Sequence, residues 1–400
     1  MWCTLRRMSP LAWIALTSLA AWLWLLLGQG FFWRTDQRLP RRTAPADWPS
    51  VVIVVPARDE AAVLPESLPS LLRQTYPGRA AVVLVDDGST DGTGELARKL
   101  GEQCDGLPLT VTSPGDPDPG WTGKLWALRH GIAMARTLRP DYLLLTDADI
   151  AHEPDSLGEL VAAARSNDLD LVSQMARLRV STGWERLVVP AFVYFFAQLY
   201  PFRWINREPA RATAAAGGCV LLRTETAERA RIPESVRQAV IDDVAVARAV
   251  RRAGGRVWLG LAERVDSIRP YPRLADLWRM VSRSAYAQLR HSPLLLAGTV
   301  AGLAVVYLAP PVAVYAATVP GVPGAAVAGW AGLVAWAVMT ATYVPVLRYY
   351  RQTLWLAPTL PFTALLYLLM TVDSAVQHYR GRGAAWKGRT YSRPEAAPDR

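Results

Sequence analysis

Cysteine is scarce in this chain of 400 residues, which contains three of them. Cys3, Cys104 and Cys219 lie far apart in the sequence, and no Cys-x-x-Cys pair occurs. The sequence therefore predicts neither a disulfide framework nor a cysteine-based zinc site. The scarcity fits a protein of a reducing compartment.

Charged residues are missing from three long stretches. These are residues 8–33, 292–347 and 352–372, with no Asp, Glu, Lys or Arg over 26, 56 and 21 residues. A spanning helix needs roughly 20 apolar residues. We therefore predict an N-terminal transmembrane anchor at 8–33 and a C-terminal transmembrane region at 292–376 with two to three spans. Pro358 and Pro361 shorten the last stretch, which leaves a re-entrant segment as the alternative to a third span.

A small-x-small cleavage site is also missing after the first stretch, which ends in Gly-Gln-Gly-Phe-Phe-Trp-Arg. This favours a retained anchor over a cleaved signal peptide. Basic residues are denser after the stretch than before it: Arg34, Arg38, Arg41 and Arg42 against Arg6 and Arg7. The positive-inside rule then places residues 34–291 in the cytoplasm, with the protein in a bacterial inner membrane.

Acidic residues are fewer than basic ones, and the formal net charge is +10. Nucleic-acid binding is one reading of such a charge. However, basic residues border the apolar stretches, as they do in inner-membrane proteins, and no basic module is studded with aromatic residues. We therefore predict a lipid bilayer as a partner and no nucleic acid.

Between the apolar stretches, a Pro-rich linker at 34–50 precedes an α/β domain at 51–291. Short apolar runs predict strands, and segments with helical spacing predict helices between them. The strands are expected at 51–55, 81–85, 142–146 and 169–173, and the helices at 60–74, 93–100, 124–136 and 157–165. Strands buried on both faces and alternating with helices are typical of a parallel sheet.

Two further segments of this domain, 187–204 and 273–291, are rich in apolar and aromatic residues. We predict interfacial helices there, because the second segment places apolar residues on one face and arginines on others. Ordinary packing inside the protein is the alternative for both.

Polar clusters follow three of the predicted strands, at Pro56–Glu60, Asp86–Ser89 and Asp147–Asp149. Ligands of open α/β sheets bind beyond the carboxyl ends of the strands. The three clusters are therefore expected to form one site. Their shared position is more informative than any single motif.

The Asp147-Ala148-Asp149 segment predicts a site for a hard divalent cation, Mg²⁺ or Mn²⁺. Such ions prefer carboxylate and phosphate oxygens, and they neutralise charge on a leaving diphosphate. A solvated turn is the alternative for an Asp-x-Asp segment by itself.

The other two clusters are predicted to bind the rest of a nucleotide. Asp86 and Asp87 can accept hydrogen bonds from a base or a ribose, with a plain turn as the alternative. Pro56, Arg58 and Glu60 would form the opposite wall; the alternative is a helix start, and both readings can hold together. Lys124, near the start of a helix, is positioned to meet a phosphate.

Asp242 and Asp243 precede a segment with helical character. Two carboxylates at that place can simply complement the helix dipole. A sugar acceptor hydroxyl, however, needs a general base. Because the four histidines lie in none of these clusters, Asp243 is the better candidate for that base.

In order and approximate spacing, these motifs resemble family 2 inverting glycosyltransferases over about residues 50–290. The terminal apolar stretches are similar to those of the membrane-bound ceramide-glucosyltransferase-like branch. Three segments look like the hopene-associated glycosyltransferases of bacterial hopanoid gene clusters: Trp121-Thr122-Gly123-Lys124, Arg269-Pro270-Tyr271-Pro272 and Trp278-Arg279-Met280-Val281-Ser282-Arg283.

The resemblance implies a GT-A fold, a nucleotide diphosphate sugar donor that is UDP-linked, a divalent cation, and a hopanoid as the membrane lipid acceptor. Asp87 would recognise the base, Asp149 with Asp147 would hold metal and diphosphate, and Asp243 would be the catalytic base. The acceptor side would comprise Gly217, Gly218, Cys219, Asp242 and Arg283.

One motif departs from the processive relatives, which carry Gln-x-x-Arg-Trp after the base. Here the stretch 280–284 reads Met-Val-Ser-Arg-Ser, so only Arg283 matches. This favours a single transfer over polymer synthesis. The alternatives are a ceramide or diacylglycerol glycolipid synthase, a polysaccharide glycosyltransferase and an inactive nucleotide-sugar-binding scaffold. A nucleotidyltransferase would need a Gly-rich phosphate loop after the first strand, where this chain has Pro-Ala-Arg-Asp-Glu.

Overall fold

A computed structural model of the chain describes residues 9–381, 385–386 and 389–390. The chain divides into two compact units. Of the described residues, the α/β unit comprises Asp36–Arg179, Trp204–Pro270 and the four residues 385–386 and 389–390, and the helical unit comprises 9–35, Val180–Arg203 and 271–381. Cys3 and most of the predicted basic tail 377–400 lie outside the described residues.

Ten strands are described. In chain order they are β1 (Val51–Ala57), β2 (Ala80–Asp86), β3 (Leu109–Thr112), β4 (Tyr142–Thr146), β5 (Ile150–His152), β6 (Leu171–Leu178), β7 (Cys219–Arg223), β8 (Val257–Ser267), β9 (Ala385–Trp386) and β10 (Arg389–Thr390).

The α-helices alternate with these strands and dominate the second half of the chain. They are α1 (Pro10–Leu27), α2 (Leu64–Leu72), α3 (Thr93–Gln103), α4 (Gly123–Thr137), α5 (Ser156–Ser166), α6 (Gly183–Leu199), α7 (Phe202–Ile205), α8 (Thr224–Arg229), α9 (Asp242–Arg252), α10 (Leu274–Gln288), α11 (Pro293–Leu303), α12 (Ala309–Ala316), α13 (Ala325–Tyr349) and α14 (Leu360–Tyr379).

The α/β unit is built on a mixed eight-stranded sheet in the order β3-β2-β1-β4-β7-β6-β8-β5. The strands β1 to β4 are mutually parallel, whereas β7 runs antiparallel to both β4 and β6, and β5 antiparallel to β8. The four strands predicted from the sequence, β1, β2, β4 and β6, run parallel to one another as expected, whereas the antiparallel strands β5 and β7 were not predicted. An apolar run such as Cys219–Leu222 is buried on both faces in either direction, so its composition does not encode the direction.

Helix α4 packs very closely on the sheet at Gly131. A Cβ atom at that residue would lie 2.5 Å from Cγ1 of Val54 and 2.9 Å from Cγ2 of Val85. Only glycine permits this approach, because any larger side chain would displace the helix from β1 and β2. The contact fixes α4, and with it Lys124 in the first turn of the helix.

One edge of the sheet gathers the polar clusters. Strands β2, β1 and β4 are adjacent and parallel, so the loops that follow them emerge at the same edge. Because β7 is antiparallel, its first residue pairs with the last residue of β4, Cys219 with Thr146. The loop that leads into β7 therefore enters at this edge as well.

Among the described residues, the helical unit contains four helices that are long and apolar enough to cross a membrane, judged by length and composition. They are Pro10–Leu27, Pro293–Ala316, Ala325–Tyr349 and Leu354–Tyr379. The first lies within the predicted anchor, the next two lie in the predicted C-terminal region 292–376, and the last begins in that region and ends three residues beyond it. The last includes the 3₁₀ segment Leu354–Thr359 before α14.

A proline in the second of these helices explains one contact of α1. Pro310 has no N–H, so the carbonyl of Val306, four residues earlier, cannot receive the usual helical hydrogen bond. That carbonyl instead accepts hydrogen bonds from Trp22 Nε1 at 2.7 Å and Ser18 Oγ at 3.3 Å. Both side chains are completely buried. In an apolar environment such a carbonyl needs a partner, and α1 supplies it.

The segments 187–204 and 273–291 group mainly with this helical unit, so the compact α/β unit is smaller than the predicted domain. Helix α6 buries eight of its 17 residues, and Tyr194 donates or accepts a hydrogen bond with Thr342 at 2.8 Å. Helix α10 buries Leu277 and bonds α14 through Trp278 Nε1 and Asp373 at 2.9 Å. Packing inside the protein, the alternative reading, accounts for these contacts, and an interfacial position of the two segments stays a prediction.

Candidate active site

Lys124 joins two of the predicted motifs at the polar edge of the sheet. Its Nζ lies 2.8 Å from Oδ1 of Asp147, after β4, and 3.1 Å from Oδ2 of Asp242, at the start of α9. The side chains of Lys124 and Asp242 are about one-fifth exposed. Burial lowers the pKa of the Lys124 ammonium, but the two carboxylates outweigh it and the net shift is upward. Lys124 is therefore a fixed positive charge.

Asp243 lies beside this cluster and is held by backbone amides. Its Oδ2 accepts from Gly217 N at 2.9 Å, and its Oδ1 accepts from Val244 N at 2.7 Å. Burial raises the pKa of Asp243 to about 7, with the Asp242 carboxylate adding to the shift and Lys124 opposing it. A carboxyl group with a pKa near neutrality suits proton transfer at physiological pH.

A second ion-pair cluster involves Arg269, which the sequence analysis did not include among the site residues. Its Nη2 lies 2.5 Å from Oε2 of Glu60, after β1, and its Nε lies 2.7 Å from Oδ2 of Asp149, after β4. The position of Arg269 follows from β8, whose continuation bonds the β4 loop through Ile268 N and Asp149 O at 2.9 Å. The Arg-Pro-Tyr-Pro segment was noted only as a resemblance, although it was the available signal for this residue.

The loops after β1 and β2 contact each other through Arg58 and Asp87. Nη1 of Arg58 donates to the backbone carbonyl of Asp87 and lies 3.6 Å from its Oδ2. Asp87 is completely buried, as expected for a specific pocket wall rather than a solvated turn. The carboxylate of Asp86 accepts from Ser89 N at 3.0 Å, which is the turn geometry named as its alternative.

A buried polar network lies behind the β4 and β7 ends. His152 Nε2 is 3.1 Å from Thr146 Oγ1, which donates to the carbonyl of Gly218 at 2.7 Å, and His152 Nδ1 is 3.0 Å from Ser156 Oγ. Burial lowers the pKa of His152 to about 4, so the ring is neutral at physiological pH. The network fixes the glycine loop next to Asp243 and was not anticipated from the sequence.

A cavity at this edge is lined by several of the predicted residues. They are Pro56, Lys124, Asp147, Gly217, Asp242 and Asp243, together with apolar side chains such as Leu128 and Val246. Gly217 borders Asp243 and Lys124 closely, since a Cβ atom there would lie 3.4 Å from Cβ of Asp243 and 3.6 Å from Nζ of Lys124. A side chain at residue 217 would fill this space.

One predicted acceptor-side residue, Cys219, does not line the cavity. Cys219 is completely buried in the hydrophobic core, and burial raises its thiol pKa to about 12. Its side chain therefore packs in the core rather than lining an acceptor surface, because β7 turns that residue inward. Arg283 lies on α10 in the helical unit, and its role stays a prediction.

The residues at Asp147 and Asp149 fit a divalent cation that is completed by phosphate oxygens. Among the described residues, no cluster of three or more His, Cys, Asp and Glu side chains forms a cage for a metal ion. Lys124 and Arg269 each contact one oxygen of a carboxylate, Oδ1 of Asp147 and Oδ2 of Asp149. A metal ion there would compete with these cations for the carboxylates, and Mg²⁺ is typically bound by one or two carboxylates plus substrate phosphates.

Comparison with known proteins identifies relatives over part of the chain. Residues 52–229 match the protein family described as Glycosyl transferase family 2. A probable glycosyltransferase, YdaM, of Bacillus subtilis is 27% identical over 135 residues, 33% of this chain and 31% of the relative. A 4,4'-diaponeurosporenoate glycosyltransferase of Staphylococcus haemolyticus is 33% identical over 101 residues, 25% of this chain and 24% of the relative.

An undecaprenyl-phosphate 4-deoxy-4-formamido-L-arabinose transferase of Pseudomonas aeruginosa is 29% identical over 180 residues, 43% of this chain and 45% of the relative. The chain thus spans less than half the length of each of these three curated relatives.

A solved structure supports the fold over nearly the whole chain. It is a mannosyltransferase from Pyrobaculum calidifontis in complex with GDP-mannose and Mn²⁺, with a TM-score of 0.59, 20% identity, and coverage of 92% of this chain and 99% of that one. The α/β unit therefore has the GT-A fold, and residues 52–229 are similar to family 2 glycosyltransferases.

Proposed function

We propose that this protein is an inverting glycosyltransferase that moves a sugar from a nucleotide diphosphate sugar onto a membrane lipid. The observation that carries the proposal is the Lys124 bridge, which brings the Asp147 motif and the Asp242-Asp243 motif to one cavity. A transferase needs a leaving-group site and a base on opposite sides of one carbon atom. These motifs supply both.

In the proposed reaction, Asp243 accepts the proton of an acceptor hydroxyl while the oxygen of that hydroxyl attacks the anomeric carbon of the sugar. The bond from that carbon to the diphosphate breaks, and its electron pair leaves with the nucleoside diphosphate. Because one displacement occurs, the anomeric configuration inverts. Lys124 provides positive charge beside Asp147, where negative charge grows on the leaving group.

A divalent cation, Mg²⁺ or Mn²⁺, would be held by Asp149 and Asp147 and would neutralise the leaving diphosphate. On the donor side, Asp87 with Arg58 would bind the base and Pro56, Glu60 and Asp86 would shape the pocket. We propose a UDP-sugar, with a GDP-sugar as the competing donor because the solved relative of the same fold was crystallised with GDP-mannose.

A lipid acceptor is supported by the helical unit and by two relatives. Four helices are apolar and long enough to cross a membrane, and the relatives are named for undecaprenyl phosphate and diaponeurosporenoate. The resemblance to hopene-associated enzymes makes a hopanoid our specific proposal, with the catalytic unit on the cytoplasmic side of an inner membrane. Gly217 and Gly218 would form part of the acceptor side.

The proposal is tested by measuring nucleoside diphosphate release from the detergent-purified protein with Mn²⁺. Donors are a panel of UDP- and GDP-sugars, and acceptors are hopanoid polyols, undecaprenyl phosphate, ceramide and diacylglycerol. We expect release that requires one sugar nucleotide together with a hopanoid. Release with another lipid keeps the transferase and removes the hopanoid, whereas donor binding without release for any acceptor favours the inactive scaffold.

The pH dependence of transfer should report the ionisation of Asp243. Because its pKa is raised to about 7, the basic form predominates above that pH, and kcat/KM should fall about tenfold per pH unit below it. Asp242→Asn should move this acidic limb to lower pH, since the Asp242 charge contributes to the raised pKa of Asp243. A profile that is flat between pH 5 and 8 in the native protein would contradict the assignment.

A further inference from the structure

We propose that Arg269 is a resident counter-ion of the Asp149 site, which keeps the affinity for a divalent cation low until a nucleotide diphosphate binds. The inference rests on the proposed function, because it concerns the cation expected at Asp149. Arg269 would act as a positioning residue, because its guanidinium pairs with the carboxylate of Asp149 to which the metal ion would bind.

The geometry shows that Arg269 bridges two otherwise separate loops. One nitrogen contacts Glu60 after β1 and another contacts Asp149 after β4, at 2.5 and 2.7 Å. The two carboxylate side chains are only 8% and 14% exposed. Desolvation makes such charge-assisted contacts far stronger than those of surface ion pairs, which contribute little.

The electrostatic consequence follows from the number of charges. Glu60 and Asp149 approach the same guanidinium, so without it two buried carboxylates would face each other across a short distance, which is unfavourable. A hard divalent cation is the other species that stabilises such a pair. Arg269 and the metal ion therefore compete for Asp149, and each lowers the apparent affinity for the other.

A nucleotide diphosphate relieves this competition. Its oxygens offer the guanidinium an alternative anion in bidentate geometry and offer the metal ion further ligands. Binding of the nucleotide and of the cation should therefore be cooperative. Without nucleotide, Arg269 prevents the enzyme from holding a bare metal ion next to its acidic motif.

The test measures Mn²⁺ binding without nucleotide by electron paramagnetic resonance in native protein and in Arg269→Gln. We expect the variant to bind Mn²⁺ about tenfold more tightly, which lies in the usual range of coupling between two ligands. Unchanged or weaker Mn²⁺ binding would overturn the proposal. An arginine that does not compete with the metal ion could be removed without any gain in Mn²⁺ affinity.

Arg264→Gln is the matched control. Arg264 lies on the same strand, β8, and its Nη1 contacts Asp155 at 2.9 Å with both side chains nearly half exposed. The substitution removes the same charge and one ion pair, so it measures any general electrostatic gain in Mn²⁺ binding. An equal gain in Arg264→Gln would also contradict the proposal.

A second variant covers the case in which Arg269→Gln does not fold. Arg269→Lys keeps the charge but cannot bridge both carboxylates with a planar fork, so Mn²⁺ should bind a few-fold more tightly than in native protein. If that affinity is unchanged, Arg269 is not the counter-ion. If nucleotide-dependent Mn²⁺ binding and turnover persist in that case, the proposed function stands while this inference fails.

Discussion

Asp243→Asn is expected to reduce kcat about 10²–10⁴-fold, the usual contribution of a general base. The amide cannot accept the proton of the acceptor hydroxyl, although it is almost the same size as the carboxyl group. The amide oxygen can still accept the hydrogen bond that Gly217 N donates to Asp243 at 2.9 Å. Donor affinity should therefore stay nearly unchanged, because a base acts in the transition state rather than in donor binding.

The measurement combines steady-state kinetics with calorimetric titration of the nucleoside diphosphate. Asp155→Asn is the matched control, because Asp155 immediately precedes α5, a helix of the same unit, and its side chain is about half exposed. If Asp243 served only as a dipole complement, the two variants would behave alike. A large loss of donor affinity in Asp243→Asn would show that its role is in binding.

Asp149→Ala should weaken metal-dependent donor binding by about tenfold to a hundredfold, as expected when a site loses a metal-orienting group. The substitution removes one carboxylate proposed for the cation and leaves the guanidinium of Arg269 paired with Glu60. Donor binding in the presence of a chelator should change much less. Calorimetric titration of UDP with Mn²⁺ and with a chelator separates the two contributions.

Asp170→Ala provides the control for loss of a buried ion pair. Its side chain is 14% exposed, the same as that of Asp149, and lies 3.2 Å from Nε of Arg223. It immediately precedes β6, which runs parallel to β4, so it lies at the opposite edge of the sheet from Asp149. We expect lower stability but unchanged metal-dependent donor affinity. A similar loss of donor affinity in both variants would mean that Asp149 acts only through folding.

Much of the fold was predictable because local composition determines it. The apolar runs at 51–55, 81–85 and 142–146 formed the buried strands β1, β2 and β4. Their lack of polar groups suits burial on both faces, and the polar residues after each run had to be at a strand end. The uncharged stretches likewise formed helices of membrane-spanning length.

The direction of β7 could not be predicted from the sequence, and it determines which loop reaches the candidate site. Because β7 runs antiparallel to β4, the loop with Gly217 reaches Asp147 and Asp243 rather than the far edge of the sheet. The same limitation applies to Cys219, whose neighbours suggested an acceptor surface although its side chain is in the core.

Taken alone, the sequence determined which residue types lie at the ends of strands, because burial forces apolar runs and polar turns into those places. Only the tertiary structure decided how the charges pair: Lys124 with both acidic motifs, and Arg269 with Glu60 and Asp149. Three of these four pairs join residues more than 100 positions apart, as Arg269 and Asp149 show, and Lys124 with Asp147 is the exception. The partners of Lys124 and Arg269 are set by the place of β8 in the sheet and by the packing of α4 on it. No local pattern in the chain encodes that arrangement.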